Sequence, residues 1–170
     1  SDVYKRQIKN SSQKIDMFRL YDLPSGKLYR RLNFLRIREE LLKLINERDY
    51  DGLSLRSSDI VTCVEFEIEE EYEHPESYLI YWVAGCSDHT AGRLMFQIFK
   101  NACGKHSHYH WTEIMRASGK SMMVGAVMSK NIKLLEHAMS HVDEIELERA
   151  LYDIDRPAIQ KWYDDNFIVT

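Results

Sequence analysis

Hydrophobic and polar positions along the chain predict a mixture of helices and strands. Apolar residues recur at helical spacing, with charged residues between them, over residues 34–47. Two further amphipathic helices are predicted over residues 92–102 and 131–141. Residues 60–70 instead alternate apolar and acidic side chains with a period of two. That alternation predicts a strand with one apolar, buried face and one acidic face.

Short apolar runs predict the other strands. Residues 78–83 are almost continuously apolar, which is typical of a central strand, and residues 122–128 have the same character. Near the N-terminus, residues 15–20 and 27–32 flank a segment with proline and glycine, which predicts a hairpin or a strand-to-helix turn.

The segment from residue 107 to 118 fits either a helix or a strand, and Ser107 as a cap with Gly119 as a stop favours the helix. Short helices over residues 145–152 and 157–164 complete the expected elements. The sum is an α+β (mixed α/β) fold, with a single central, mostly antiparallel sheet covered by helices.

Composition places the chain among globular proteins, since 44% of its 170 residues are hydrophobic and 29% are charged. We expect one globular domain over residues 8–170. Residues 1–7 are expected to be a non-native leader, either translated from a sequencing adapter or disordered.

Charge and hydropathy narrow the possible partners and location. The net charge of −4 disfavours general nucleic-acid binding. No apolar run approaches the ~20 residues that span a bilayer. Three cysteines are an odd number, which disfavours a secreted disulfide framework and predicts a cytoplasmic protein. The oligomeric state is left open.

The most suggestive stretch for ligand binding is the glycine-bearing turn after residues 78–83. A strand, a turn and a helix in this order direct backbone N–H groups and the positive end of the helix dipole towards a bound anion. Gly85 and Gly92 lie in this turn, together with Asp88 and His89.

The segment His89-Thr90-Ala91-Gly92-Arg93-Leu94 resembles the loop Arg/Gln-x-x-Gly-x-Gly/Ala of the GCN5-related N-acyltransferases. It matches at the first glycine, while His89 replaces Arg or Gln and Leu94 stands at a small-residue position. The order of predicted elements over residues 15–140 is similar to that family's. A fainter similarity to toxin-activating lysine acyltransferases lies around Trp82-Val83-Ala84, Asp88 and Gly92.

This resemblance implies an acyltransferase that binds acyl-CoA or a related donor at residues 85–93 and acylates an amine. It places the donor's pyrophosphate on the loop backbone and implies that Asp88 or His89 takes the amine proton. Tyr152 is the candidate for protonating the departing thiolate. The residues expected to bind the cofactor are Gly85, Ala91, Gly92 and Arg93.

Histidines and cysteines suggest two metal hypotheses. Cys86-x-x-His89 and Cys103-x-x-His106 have zinc-ligand spacing, but the intervening helix would hold the pairs ~16 Å apart. No bound metal is therefore expected from these pairs. The cluster from His106 to His110 supports a third function, a metal-dependent nuclease.

Acidic residues between positions 65 and 76 support an alternative function of a different class. Like charges on one face of a hairpin repel each other, so a concentrated set favours a basic partner. The alternative is a non-catalytic phage or mobile-element protein that binds and blocks a host complex of the anti-defence type, with a basic host protein surface as partner. The residues of this acidic hairpin are Glu65, Glu67, Glu69, Glu70, Glu71, Glu73 and Glu76.

Overall fold

A computed structural model describes residues 25–143 together with residues 145, 146, 148, 149, 157, 161 and 164–166. Between residues 25 and 143 the chain forms α-helices and one 3-10 turn, without a strand. The helices are α1 (Ser25–Glu47), α2 (Tyr50–Ser54), α3 (Ser57–Glu70), α4 (Leu79–Ala84), α5 (His89–His106), α6 (Trp111–Ser129) and α7 (Ile132–Met139), with the 3-10 turn Pro75–Ser77 before α4.

Helix α6 occupies the centre of the fold. It packs against α3, α4, α5 and α7, and all but one of the residues from Ser118 to Val127 are buried. Helix α3 packs on α5, and α1 contacts both α3 and α4. The described helices share one hydrophobic core, as expected when each buries an apolar stripe against its neighbours.

The predicted α+β fold with a central sheet is wrong, and so is the resemblance to the GCN5-related N-acyltransferases. Residues 60–70, predicted as a strand of an acidic hairpin, belong to helix α3. The buried positions of α3 lie at helical spacing rather than at alternate residues. They are Ile60, Val61, Cys63, Val64 and Glu67.

The other predicted strands are also helical wherever the structure describes them. Residues 79–84 form α4, residues 27–32 lie in α1, and residues 122–128 form the C-terminal part of α6. The two apolar runs resemble strands because nearly every residue in such a short run is apolar, which hides the helical period. Residues 15–20 lie outside the described part of the chain.

Several helix predictions are confirmed. Residues 34–47 and 92–102 lie in α1 and α5, and residues 131–139 form α7 with Asn131 as its N-cap. The favoured helix over residues 107–118 is confirmed only from Trp111 onwards. Its predicted ends are wrong, because Ser107 is the C-cap of α5 and Gly119 lies buried within α6 instead of stopping it. Those residues of the two predicted C-terminal helices that the structure describes are helical. None of the described helices is long and apolar enough to span a membrane.

Helices α4 and α6 cross at very close range because position 125 is glycine. A Cβ atom at Gly125 would lie 2.4 Å from the carbonyl oxygen of Tyr81, 3.1 Å from the amide nitrogen of Gly85 and 3.2 Å from the Cβ of Ala84. Contacts this short with backbone atoms exclude a side chain. The glycine therefore sets the distance between the two helices.

Candidate functional site

The residues predicted to bind an acyl donor lie in the loop between α4 and α5 and in the first residues of α5. Gly85 ends α4, and its N–H donates to the carbonyl of Tyr81 at 2.8 Å. Asp88 is the N-cap of α5, where its Oδ1 accepts from the N–H groups of Thr90 at 3.1 Å and Ala91 at 3.2 Å. The N–H of Gly92 donates to the carbonyl of Asp88 at 2.9 Å. These four amides are thus satisfied within the protein.

Asp88 and His89 also hold other elements together. The carboxylate of Asp88 pairs with Arg48, just after α1, at 3.5 Å. Nε2 of His89 lies 2.7 Å from the carbonyl oxygen of Ser129, the last residue of α6. Both contacts fix the start of α5 against neighbouring helices, which is a structural role for residues predicted as proton acceptors.

The structure brings the predicted loop residues together at the start of α5. There they form a helix cap whose amides are already hydrogen-bonded within the protein. Gly92 is buried, and a Cβ there would lie 3.2 Å from the carbonyl oxygen of Val83. Arg93 is exposed on the next turn, and Tyr152 lies outside the described residues. Acyl-CoA binding and amine acylation stay predictions, and the fold that suggested them is not the one this chain adopts.

The predicted metal-binding residues are spread over α5 and the segments before α5 and before α6. His106, His108 and His110 are exposed, whereas Cys103 is buried, and burial raises the pKa of its thiol to about 12. Among the described residues no three side chains of metal-ligand type are grouped closely enough to hold an ion. The nuclease hypothesis stays an untested prediction.

Two of the acidic residues predicted to share one surface instead hydrogen-bond to other parts of the chain. Glu67 is 2% exposed, and its Oε2 accepts from the N–H of Leu79 at 2.8 Å, so the carboxyl caps the start of α4. Burial raises the pKa of Glu67 to about 8. Glu65 accepts from the hydroxyl of Ser107 and the N–H of His108, each at 3.0 Å.

The remaining acidic residues are exposed around the C-terminal end of α3 and the turn after it. They are Glu69, Glu70, Glu71, Glu73 and Glu76. Glu69 pairs with Arg30 on α1 at 2.9 Å. Carboxylates at this end of a helix oppose its dipole, and the last turn of α3 carries no basic residue to offset them.

Glu71 adds a second local cost at the same place. It is the C-cap of α3 and has left-handed backbone angles, φ 50° and ψ 53°. Glycine is the usual residue in this conformation because any Cβ is strained there. Folding alone would therefore favour glycine at position 71.

An exposed tryptophan lies beside the turn that carries Glu76. Trp82 on α4 is 42% exposed, and its Nε1–H donates to the main-chain carbonyl of Glu76 at 2.9 Å. Arg38 donates to the same carbonyl at 3.0 Å, and the ring of Tyr81 meets Trp82 edge-on at 5.1 Å. The indole is therefore held in place beside the turn. We call Glu70, Glu71, Glu73, Glu76 and Trp82 the acidic surface.

The sequence pattern located the carboxylates of this surface but missed the tryptophan. Trp82 lies in the run predicted as a buried central strand, in which an exposed aromatic residue was not expected. The available signal was the helical period, since Leu79, Ile80, Val83 and Ala84 are the buried residues of α4 and leave Trp82 on the opposite side.

Fold and site together define a helical protein with a closed core and a charged surface that carries an aromatic residue. Residues 40–164 match the model of a family of unknown function, DUF5903. The chain belongs to this family. No curated protein and no solved structure matches the chain.

Proposed function

We propose that the protein is a non-catalytic interaction module that binds a basic surface of a partner protein through its acidic surface. The observation that carries the proposal is the concentration of exposed carboxylates on the acidic surface, where Glu70 and Glu71 lie at the end of α3 that the helix dipole disfavours and Glu71 has left-handed backbone angles. These carboxylates lower the stability of the free protein, and a role in binding a partner would explain why they are present.

The composition of the acidic surface suits this role. Tryptophan is enriched among residues that contribute most to protein–protein affinity, and the indole of Trp82 is already fixed by Glu76 and Tyr81. Carboxylates around it would attract lysine and arginine side chains and speed association. Arginine can also stack on the indole face, which combines both contacts in one residue.

Charge reversal tests the proposal with a labelled nona-arginine peptide as the basic probe. A triple variant of the acidic surface, Glu70→Lys, Glu71→Lys and Glu73→Lys, should weaken binding at least tenfold in fluorescence anisotropy, since it replaces attraction by repulsion. Binding of the wild type should also weaken steeply between ~0.05 and ~0.2 M salt.

A matched triple variant separates a local surface from net charge. Glu39→Lys, Glu136→Lys and Glu148→Lys change exposed acidic residues elsewhere by the same total charge. We expect this control to keep affinity within about threefold of wild type. Equal losses in both triple variants, or no binding of the peptide by the wild type, would rule the proposal out.

Glu71→Gly should stabilise the protein by about 1 kcal/mol while weakening the nona-arginine complex, because it relieves the left-handed strain and removes one carboxylate. Urea denaturation and anisotropy measure the two effects. Lys130→Gly is the matched control, since Lys130 is the C-cap of α6 with φ 60°. It should stabilise to a similar extent and leave peptide binding unchanged.

A further inference from the structure

An aromatic and basic cluster joins α5, α6 and α7. It consists of Phe96, Lys100, Trp111, His137 and His141. The ring of His137 lies edge-on to Phe96 at 5.1 Å between centroids and 5.0 Å from the ring of His141. The Nζ of Lys100 lies 5.9 Å from the centroid of a Trp111 ring.

One hydrogen bond in this cluster fixes the protonation state of His137. Nε1 of Trp111 lies 3.1 Å from Nε2 of His137. An indole N–H is only a donor, so Nε2 of His137 must offer a lone pair. The imidazole is therefore neutral in this structure, with its proton on Nδ1.

The surroundings of His137 oppose a positive charge on the ring. Burial lowers the pKa of His137 below its ordinary value of 6.5, and the charges of Lys100 and His141 lower it further. Lys100 acts from α5 and His141 from the segment after α7, while α6 contributes the indole, which does not titrate. The C-terminal end of the α7 dipole favours the cation, but the net direction of the pKa is downward.

We propose that His137 is an acid-sensitive latch: its protonation breaks the hydrogen bond from Trp111 and loosens α7 from α5 and α6. Once protonated, both ring nitrogens are donors, so the indole N–H faces another donor. The same proton places a positive charge beside the ammonium group of Lys100 and the ring of His141. Contacts of Phe96 and Trp111 with the ring are then lost together, because all of them depend on one ring position.

The pH dependence has a definite sign. The unfolded chain takes up the proton near pH 6.5, while the folded chain takes it up at lower pH. Between these two values the unfolded state binds more protons, so stability falls as pH falls. Loosening of α7 should therefore begin below pH 6.5 and be complete below the folded pKa of His137.

Nuclear magnetic resonance on the whole chain tests the latch directly. The indole N–H signal of Trp111, assigned with Trp111→Phe, should shift with pH and share its midpoint with the ring protons of His137, below pH 6.5. Amides of Ile132–Met139 should lose hydrogen-exchange protection at pH 5 relative to pH 7, after correction for intrinsic rates. An indole signal that is unchanged between pH 4.5 and 7.5 would disprove the latch.

Three variants identify the responsible ring. His137→Gln keeps an acceptor without a titrating group, so the shift of the Trp111 signal should disappear. His141→Gln removes a neighbouring charge and should raise the midpoint, whereas His108→Gln, at an exposed site, should not change it. If His137→Gln does not fold, the test is the change in the pH midpoint of the Trp111 signal that His141→Gln causes. A lowered or unchanged midpoint contradicts the proposal.

Discussion

Gly125→Ala should destabilise the protein by about 2–4 kcal/mol. The added methyl group would lie 2.4 Å from the carbonyl oxygen of Tyr81, a backbone atom that cannot move away by changing a rotamer. Helix α4 would have to shift outwards, which would also disturb its packing on the core of α6. Urea denaturation followed by circular dichroism measures the loss.

A second glycine-to-alanine change isolates this steric effect from helix propensity. Gly104 lies in α5, and a Cβ there would meet no atom within 4 Å. Gly104→Ala should therefore stabilise the protein by up to about 1 kcal/mol, since alanine is the better helix former. A Gly125→Ala protein as stable as wild type would show that the α4–α6 crossing is not as tight as described.

The stability of the protein should fall as pH rises from about 4.5 to about 8, because Glu67 must ionise in the core. Its pKa is about 8 when folded and 4.5 when exposed. Between these values the folded state binds more protons than the unfolded state, so the free energy of unfolding decreases with pH. Complete ionisation removes roughly 3–5 kcal/mol.

Substitutions of Glu67 separate its charge from its hydrogen bond. Glu67→Gln keeps an oxygen acceptor for the N–H of Leu79 and should abolish this part of the pH dependence. Glu67→Leu leaves that buried N–H without its acceptor and should cost about 1–3 kcal/mol at pH 6. Unfolding free energies at pH 6, 7, 8 and 9 measure both effects.

Glu65→Gln is the matched control for this titration. Glu65 is only partly buried and lies two residues away on the same helix. Its substitution should leave the slope between pH 6 and 9 unchanged. If the free energy of unfolding depends on pH in the same way in wild type and Glu67→Gln, Glu67 is not the group that ionises.

Helices could be predicted from the sequence where one face is polar. Helix α5 is the example, since Asp88 caps it and its buried residues, such as Met95 and Phe99, recur at helical spacing. Helix α3 was missed because residues 64–69 alternate apolar and acidic side chains. The buried set includes Glu67, which a hydropathy pattern counts as polar, so the true period was hidden.

Functional residues were harder to predict because the same residue types serve capping and binding. Asp88 was expected to act in chemistry, but its position before α5 gives it two amides to cap. The acidic residues were recognised, yet their division into buried and exposed members depends on α3 being a helix. The contact between Trp111 and His137 joins residues 26 positions apart and left no local signal.

The central position of α6 has a consequence for synthesis on the ribosome. Helices α1 to α5 emerge before residues 111–129, so α4 has no α6 to pack against while these residues are still in the exit tunnel. Leu79 and Val83 of α4 are fully buried in the finished protein, and the burial of α4 is not complete until α6 has emerged. The nascent chain therefore passes through a stage at which part of its hydrophobic surface is still exposed. We expect chaperones to bind the chain at this stage.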